Sequence, residues 1–217
     1  MNFGIPLDQV LANPTLELHD VDGTLLASND DWEGGAEAAE IANSGLAPTS
    51  AQEPAIIAHL NPGAYTAVVR GTNDTTGLGL IEIYNIDPAS GATLVNVSSR
   101  GSVLTGNSVL IGGFIVSGDA QILLRAIGPS LISFGVNGAL LDPTMEVYDS
   151  AGTLLASNDN WSSDQAAALA ATGVAPRDLR ESAVLMSLPK GAYTLVVRGV
   201  NGATGVALVE AYFMAAE

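Results

Sequence analysis

Acidic side chains are the first candidates for chemistry. Asp20, Asp22, Asp30 and Asp31 crowd one short stretch, and Asp149, Asp159 and Asn160 occupy matching places later in the chain. Carboxylates at this density can supply the several oxygen ligands that a hard cation such as Ca²⁺ requires. Asp20, Asp22, Asp30, Asp149 and Asp159 therefore form the candidate metal set, with calcium as the cofactor they would hold. The spacing is not that of an EF-hand, because position six of such a loop would be Leu25 where glycine is needed. Ser28-Asn29-Asp30 also reads as a turn in which short polar side chains bond their own backbone. The two histidines, His19 and His59, and the recurring pair Glu82 and Glu210 complete the set of groups that could carry protons.

An internal repeat sorts these candidates. Residues 13–32 return as 142–161 with 13 of 20 positions identical, and residues 53–84 return as 181–212 with 17 of 32 identical. A residue that a shared mechanism needs should recur, yet His19 becomes Tyr148 and His59 becomes Ser187. A histidine-based mechanism common to both copies fails on that comparison. Asp22 becomes Ala151 and Asp31 becomes Asn160, so the second copy carries fewer acids. Glu82/Glu210 and Arg70/Arg198 recur together and read as a structural ion pair between neighbouring strands. Gly112-Gly113 lies between apolar residues with no following Lys-Ser/Thr, which fits a bulge or a close-packing site and not a phosphate cradle. Trp32 and Trp161 recur after the Asn-Asp motif as lids on the end of the fold, and sugar stacking is the alternative use for them.

The elements that must position these residues are strands. Thr15–His19, Thr24–Ala27, Ala55–Leu60, Tyr65–Arg70 and Leu78–Tyr84 are short apolar or alternating runs bounded by turn formers. Their counterparts are Thr144–Tyr148, Thr153–Ala156, Ala183–Leu188, Tyr193–Arg198 and Val206–Tyr212. Gly23 and Gly152 sit where a tight hairpin needs a positive φ. Between the copies, the stretch of about 88–139 occurs once and adds Thr93–Ser99, Ser108–Val116 and Gln121–Ile127. Its end has a faint echo at Phe3-Gly4-Ile5. Many short strands spaced by turns predict a β-sandwich. Two Ala-rich stretches, Ala36–Ala42 and Asp164–Ala171, predict short helices across the sandwich ends, the second capped by Ser163 or Asp164 and ended by Gly173.

Composition narrows the function classes. Seven Lys+Arg against 23 Asp+Glu give a net charge of −16, with Lys190 the one lysine. Nucleic-acid binding needs a basic footprint, and anionic membrane surfaces would repel this chain. No apolar run approaches the roughly 20 residues of a membrane-spanning helix, so membrane insertion is not expected. Absence of cysteine excludes disulfides and thiolate metal sites. The first residues lack the basic start and apolar stretch of a signal peptide. Strong acidity with abundant Gly, Ala, Thr, Asn and Ser matches an extracellular or cell-surface bacterial protein. Asn73-Asp-Thr75, Asn96-Val-Ser98 and Asn160-Trp-Ser162 are N-glycosylation triplets that matter only in a glycosylating pathway.

The run PTLELHDVDGTLLASNDDW, an Ala-rich insert, then GAYTAVVRG and GLIEIY resembles bacterial pre-peptidase C-terminal domains. The fuller unit, with VLIGGFIVSG and ILLRAIGPSL, is similar to tandem repeats of large secreted bacterial proteins. The resemblance implies a jelly-roll-like β-sandwich that is not itself catalytic and is appended to secreted enzymes or surface proteins. It also implies calcium at turn acids, which map onto Asp20, Asp22 and Asp30 and onto Asp149 and Asp159.

The expectation is an all-β, non-enzymatic protein with one complete sandwich over 88–217 and a partial one over 1–87 that lacks three strands. Its partner is itself: head-to-tail strand complementation, filament-forming where the contact does not close. Val109, Leu110, Ile111, Leu123 and Leu124 are the expected assembly strands. A calcium- or carbohydrate-binding accessory domain is the alternative.

Overall fold

A β-hairpin built on Asp-x-x-Gly organises each copy of the repeat. In the computed structural model, which describes residues 8–214, strand β1 (Pro14–His19) turns into β2 (Leu25–Asn29), and β7 (Pro143–Asp149) turns into β8 (Leu154–Asn158). Gly23 and Gly152 take φ of 80° and 78°, the left-handed conformation expected at that corner. The chain divides into two compact units, Met1–Thr93 and Leu94–Glu217.

The second unit is a jelly roll. Its strands are β4 (Asn96–Val103), β5 (Leu110–Val116), β6 (Ala120–Ile127), β7, β8, β9 (Ser182–Leu188), β10 (Gly191–Gly199) and β11 (Gly205–Met214). They form two four-stranded sheets, β5-β10-β7-β8 and β4-β11-β6-β9, and every pairing is antiparallel. Pairings of β7 with β8, β6 with β9, β5 with β10 and β4 with β11 nest inside one another. The unit is thus one long hairpin rolled into a sandwich, with β4 to β7 on one side of the hairpin and β8 to β11 on the other.

Alternation along the strands sends one face inward. Ile122, Leu124, Met145, Val147, Leu195, Val197, Ala207 and Val209 fill the space between the sheets. Gly112 is a site of close approach: a Cβ there would stand 3.0 Å from Val209 Cγ1, and the β5–β10 register runs through it without a bulge. Helix α2 (Ala166–Ala171) was expected at a sandwich end. It instead packs Leu169 against Leu123 and Ala183, on the opposite face of β6 and β9 from the inter-sheet core. Neither Ser163 nor Asp164 caps it. Gln165 holds the N-cap position without a capping bond and uses its side-chain amide to bind the backbone N–H and carbonyl of Leu185, both at 2.9 Å. Gly173 ends the helix region with φ of 73°.

The first unit forms one three-stranded sheet, β2-β1-β3, with β3 at Thr66–Gly71, and one short helix, α1 (Ala38–Asn43). These strands correspond to β8, β7 and β10. The expected strands Ala55–Leu60 and Leu78–Tyr84 are not strands here; Leu78 makes a single bridge to Val10. Their counterparts β9 and β11 pair with β6 and with β4 and β6, and the first unit has no such strands among its described residues. A strand without a neighbour has no ladder to join. Among the described residues of this unit, Ile41 is the one buried apolar side chain. Phe3-Gly4-Ile5 lies outside the described residues.

Candidate functional site: the acid corners and the open face

Two acids of the candidate metal set, Asp20 and Asp149, serve the turns. Asp20 Oδ1 accepts the backbone N–H groups of Asp22 (3.0 Å) and Thr24 (2.8 Å), and Asp149 Oδ1 accepts those of Ala151 (2.9 Å) and Thr153 (2.8 Å). The Thr153 N–H, with that of Ala151, holds the Asp149 carboxyl below its usual range. Asp22 is exposed, Asp30 meets the Thr72 hydroxyl at 3.5 Å, and Asp159 accepts from the Asn160 amide at 3.2 Å. No three His, Cys, Asp or Glu side chains converge as a metal set among the described residues. His19 bridges Glu17 at 3.0 Å and the Gly23 carbonyl oxygen at 3.2 Å, and the Glu17 contact raises its pKa above 6.5. His59 is exposed.

The Ser-Asn-Asp-x-Trp motif is a clamp in both copies. Asn29 Oδ1 accepts the Ala55 N–H at 3.0 Å, and Asn158 Oδ1 accepts the Ala183 N–H at 3.0 Å. Trp32 and Trp161 donate their indole N–H to the carbonyls of Ser50 and Asp178, each at 3.1 Å. These bonds explain why asparagine and tryptophan recur together: they fasten the hairpin to the chain that follows the helix. Tyr65 and Tyr193 repeat another device, each donating its hydroxyl to a carbonyl four residues back, Asn61 and Pro189, at 2.9 Å, as a tyrosine corner does. A shallow depression recurs beside the motif in both units, about 290 Å³ next to Asn29 and Asp30 and about 430 Å³ next to Asn158 and Asp159. Just ahead of β1 and β7, Asn13 Oδ1 and its counterpart Asp142 Oδ1 are buried atoms without a hydrogen-bond partner among the described residues. Burial and the neighbouring Asp159 raise the Asp142 pKa.

The expected Glu210–Arg198 pair does not form. Glu210 binds Arg125 of β6, through Nε at 2.8 Å and also through Nη2, and Arg125 Nη2 reaches the Tyr212 hydroxyl at 2.8 Å. The guanidinium also lies 4.8 Å from the Tyr212 ring centroid, a cation–π distance. Arg198 turns to Glu146 at 3.7 Å and to the Gly106 carbonyl. A lone like-for-like recurrence in sequence could not reveal this, because the true partner occurs once. Glu181, which sequence reasoning passed over, is fully buried and accepts the N–H groups of Gly128 (3.1 Å), Ser130 (2.8 Å) and Asp178 (3.2 Å) and the Ser130 hydroxyl (2.8 Å).

The first unit keeps the receiving halves of both arrangements. Glu82 accepts the Tyr84 hydroxyl at 2.9 Å, as Glu210 accepts that of Tyr212. Glu53 accepts the Ser50 N–H at 3.2 Å, as Glu181 accepts that of Asp178. Neither glutamate has an ion-pair partner among the described residues, and both are exposed. Around them, apolar side chains that are core in the second unit face outward. Leu60 is 47% exposed against 3% for Leu188, and Ile81 is 42% exposed against 3% for Val209. Of the expected assembly residues, Leu110, Leu123 and Leu124 are buried in the second unit, Val109 is half-buried just before β5, and Ile111 is 55% exposed.

No family model matches the chain, and no curated protein matches it. Among solved structures, it is similar to the crystal structure of the pre-peptidase C-terminal domain of a collagenase from Bacillus anthracis, at 13% identity and a TM-score of 0.36, over 54% of this chain and 89% of that one.

Proposed function

We propose that this chain is a non-catalytic, extracellular or cell-surface structural module whose first unit is an acceptor for strand complementation. The observation that carries the reading is internal. The same residues are buried core in one unit and solvent-facing in the other, and the difference is the presence of β4, β5 and β6. An unpaired sheet edge flanked by exposed leucine and isoleucine is a template for strand addition. Partners of the same repeat type, joined head to tail, would extend into filaments where the rotation between them does not close.

Acidity supports an interaction through main chain and apolar surface instead of attraction to polyanions. Light scattering over a dilution series, with negative-stain microscopy, tests the reading. Growth in mass when residues 94–136 are added as a free segment to residues 1–217 is the expected result; unchanged mass at every concentration of the segment, with the outward apolar residues still solvent-exposed, would count against it.

A second reading, calcium or carbohydrate binding, draws on the recurrent depression and the unpartnered Asp142 and Asn13 oxygens. Calorimetry with Ca²⁺ and a glycan panel separates the two: heat lost on Asp30→Ala and Asp159→Ala favours the second reading.

A further inference from the structure

We propose that the occupant of the first unit is an additional copy of the arm that the second unit holds as β4 to β6, recognised by Glu53 and Glu82 through an Arg-x-x-Gly-x-Ser sequence of the kind formed by Arg125, Gly128 and Ser130. This rests on the reading of the first unit as a strand acceptor, and it names what is accepted.

Three observations carry it. The first is topological. Segments 55–60, β3 and 78–84 correspond to β9, β10 and β11, whose nested partners in the second unit are β6, β5 and β4. All three vacant pairings in the first unit therefore belong to one continuous arm. The second is electrostatic. Glu181 and Glu210 are buried carboxylates whose partners Gly128, Ser130 and Arg125 all lie on or just after β6. A buried carboxylate is tolerated only when it is paired and hydrogen-bonded. Glu53 and Glu82 stand at the same two places, prepared by the same local contacts to Ser50 and Tyr84. The third is steric. Gly112 lets β5 approach Val209, and the outward Ile81 occupies the place of Val209. An arm with glycine there fits the first unit as it fits the second.

A second copy of residues 1–217 does not supply this occupant from its own structure. Each copy holds one arm and two frameworks, and the arm is committed: Ile122, Leu123 and Leu124 are fully buried in the second unit. Moving it to a neighbour would open one unit for every unit it closed.

The experiment joins a second copy of residues 94–136 ahead of residue 8, the position that corresponds to 137. Backbone amide exchange is read by NMR at 56–60 and 79–84, with 184–188 and 207–212 as internal reference. Exchange in the first set should slow by about 10²-fold or more. Arg→Met at the added copy's Arg125 position, and Glu82→Gln in the acceptor, should each reverse at least about tenfold of that protection, and together no more than either alone.

Slowed exchange that ignores both substitutions leaves strand addition standing and overturns the recognition by arginine. Unchanged exchange in the extended chain, with the reference set intact, overturns both readings. Protection of the same residues in the unextended chain on concentration makes a second copy the occupant and sinks the proposal. Should the extended chain aggregate, the 94–136 segment added in trans to residues 1–217 gives the same three outcomes.

Discussion

The two units share a hairpin, a helix, an asparagine clamp and a tyrosine corner, and they differ in one arm. With the arm, Leu188 is core; without it, Leu60 faces water. Local devices form in both: Asn29 and Asn158 make the same bond at 3.0 Å, and Asn73 and Asn201 adopt the same left-handed φ of 56° and 55°. Burial does not survive the loss of the arm. Structure that each framework builds within itself, the Asn29–Ala55 bond and the β1–β3 ladder included, is thus separable in this chain from structure that needs the arm.

The sharpest way to break the comparison is Arg125→Met. It leaves Glu210 as an unpaired buried charge and should cost the second unit about 3–5 kcal/mol, whereas Glu82→Gln in the first unit should change stability by no more than about 0.5 kcal/mol. Urea unfolding followed unit by unit, through exchange of resolved amides, would read both. Leu188→Ala should cost about 2–5 kcal/mol through the cavity it leaves. Leu60→Ala, the same change at the equivalent place, should stay within about 0.5 kcal/mol; equal losses would mean the first unit is as closed as the second.

Removing the shared clamp tests the other side of the comparison. Asn158→Ala leaves the buried Ala183 N–H without its acceptor and should cost about 1–3 kcal/mol; Asn29→Ala, in a half-buried site, about 0.5–1.5 kcal/mol. The smallest effects are in pH. Arg180 bonds hold the Asp178 carboxyl down at about 2 from 3.8, and its counterpart in the first unit is Ser50. A depressed carboxyl pKa gives stability that is present above the unfolded value and lost as pH falls through about 2, so that acid limb belongs to the second unit alone. His19, replaced by Tyr148 in the second unit, has a raised pKa. Its contribution is full below 6.5 and fades as pH rises through the higher folded value, and His19→Gln should abolish that limb in the first unit only.

Much of the second unit was readable from alternation and turns, because each of its strands has both the pattern and the partner. Ala55–Leu60 and Leu78–Tyr84 show the limit: their apolar alternation matches that of β9 and β11, but a ladder is a property of two segments, and periodicity describes one. The site residues divide in the same way. Asp20 and Asp149 read in sequence as candidate metal ligands beside Gly23 and Gly152; that each instead accepts two backbone N–H groups of its own turn is visible only in the geometry. Comparing copy with copy points to Glu82 and Glu210, but it assigns them to the recurring Arg70 and Arg198, since repetition cannot reveal a partner present once. Glu53 and Glu181 opened the second repeated block and drew no role, because a buried carboxylate looks like any other glutamate until the Gly128 and Ser130 N–H groups are seen to converge on it.

The nested pairing of the jelly roll also sets an order of assembly. Joining β7 to β8 closes a loop of a few residues, while joining β4 to β11 closes nearly the whole unit, and closure entropy grows with each step outward. Such a roll zips from its innermost turn. The first unit has that turn, β1 to β2, with β3 laid beside it, and among its described residues no teeth on the opposite side to engage next. It is a zipper stopped at its first tooth, already aligned, so an arriving arm would meet a started fold instead of an unfolded chain.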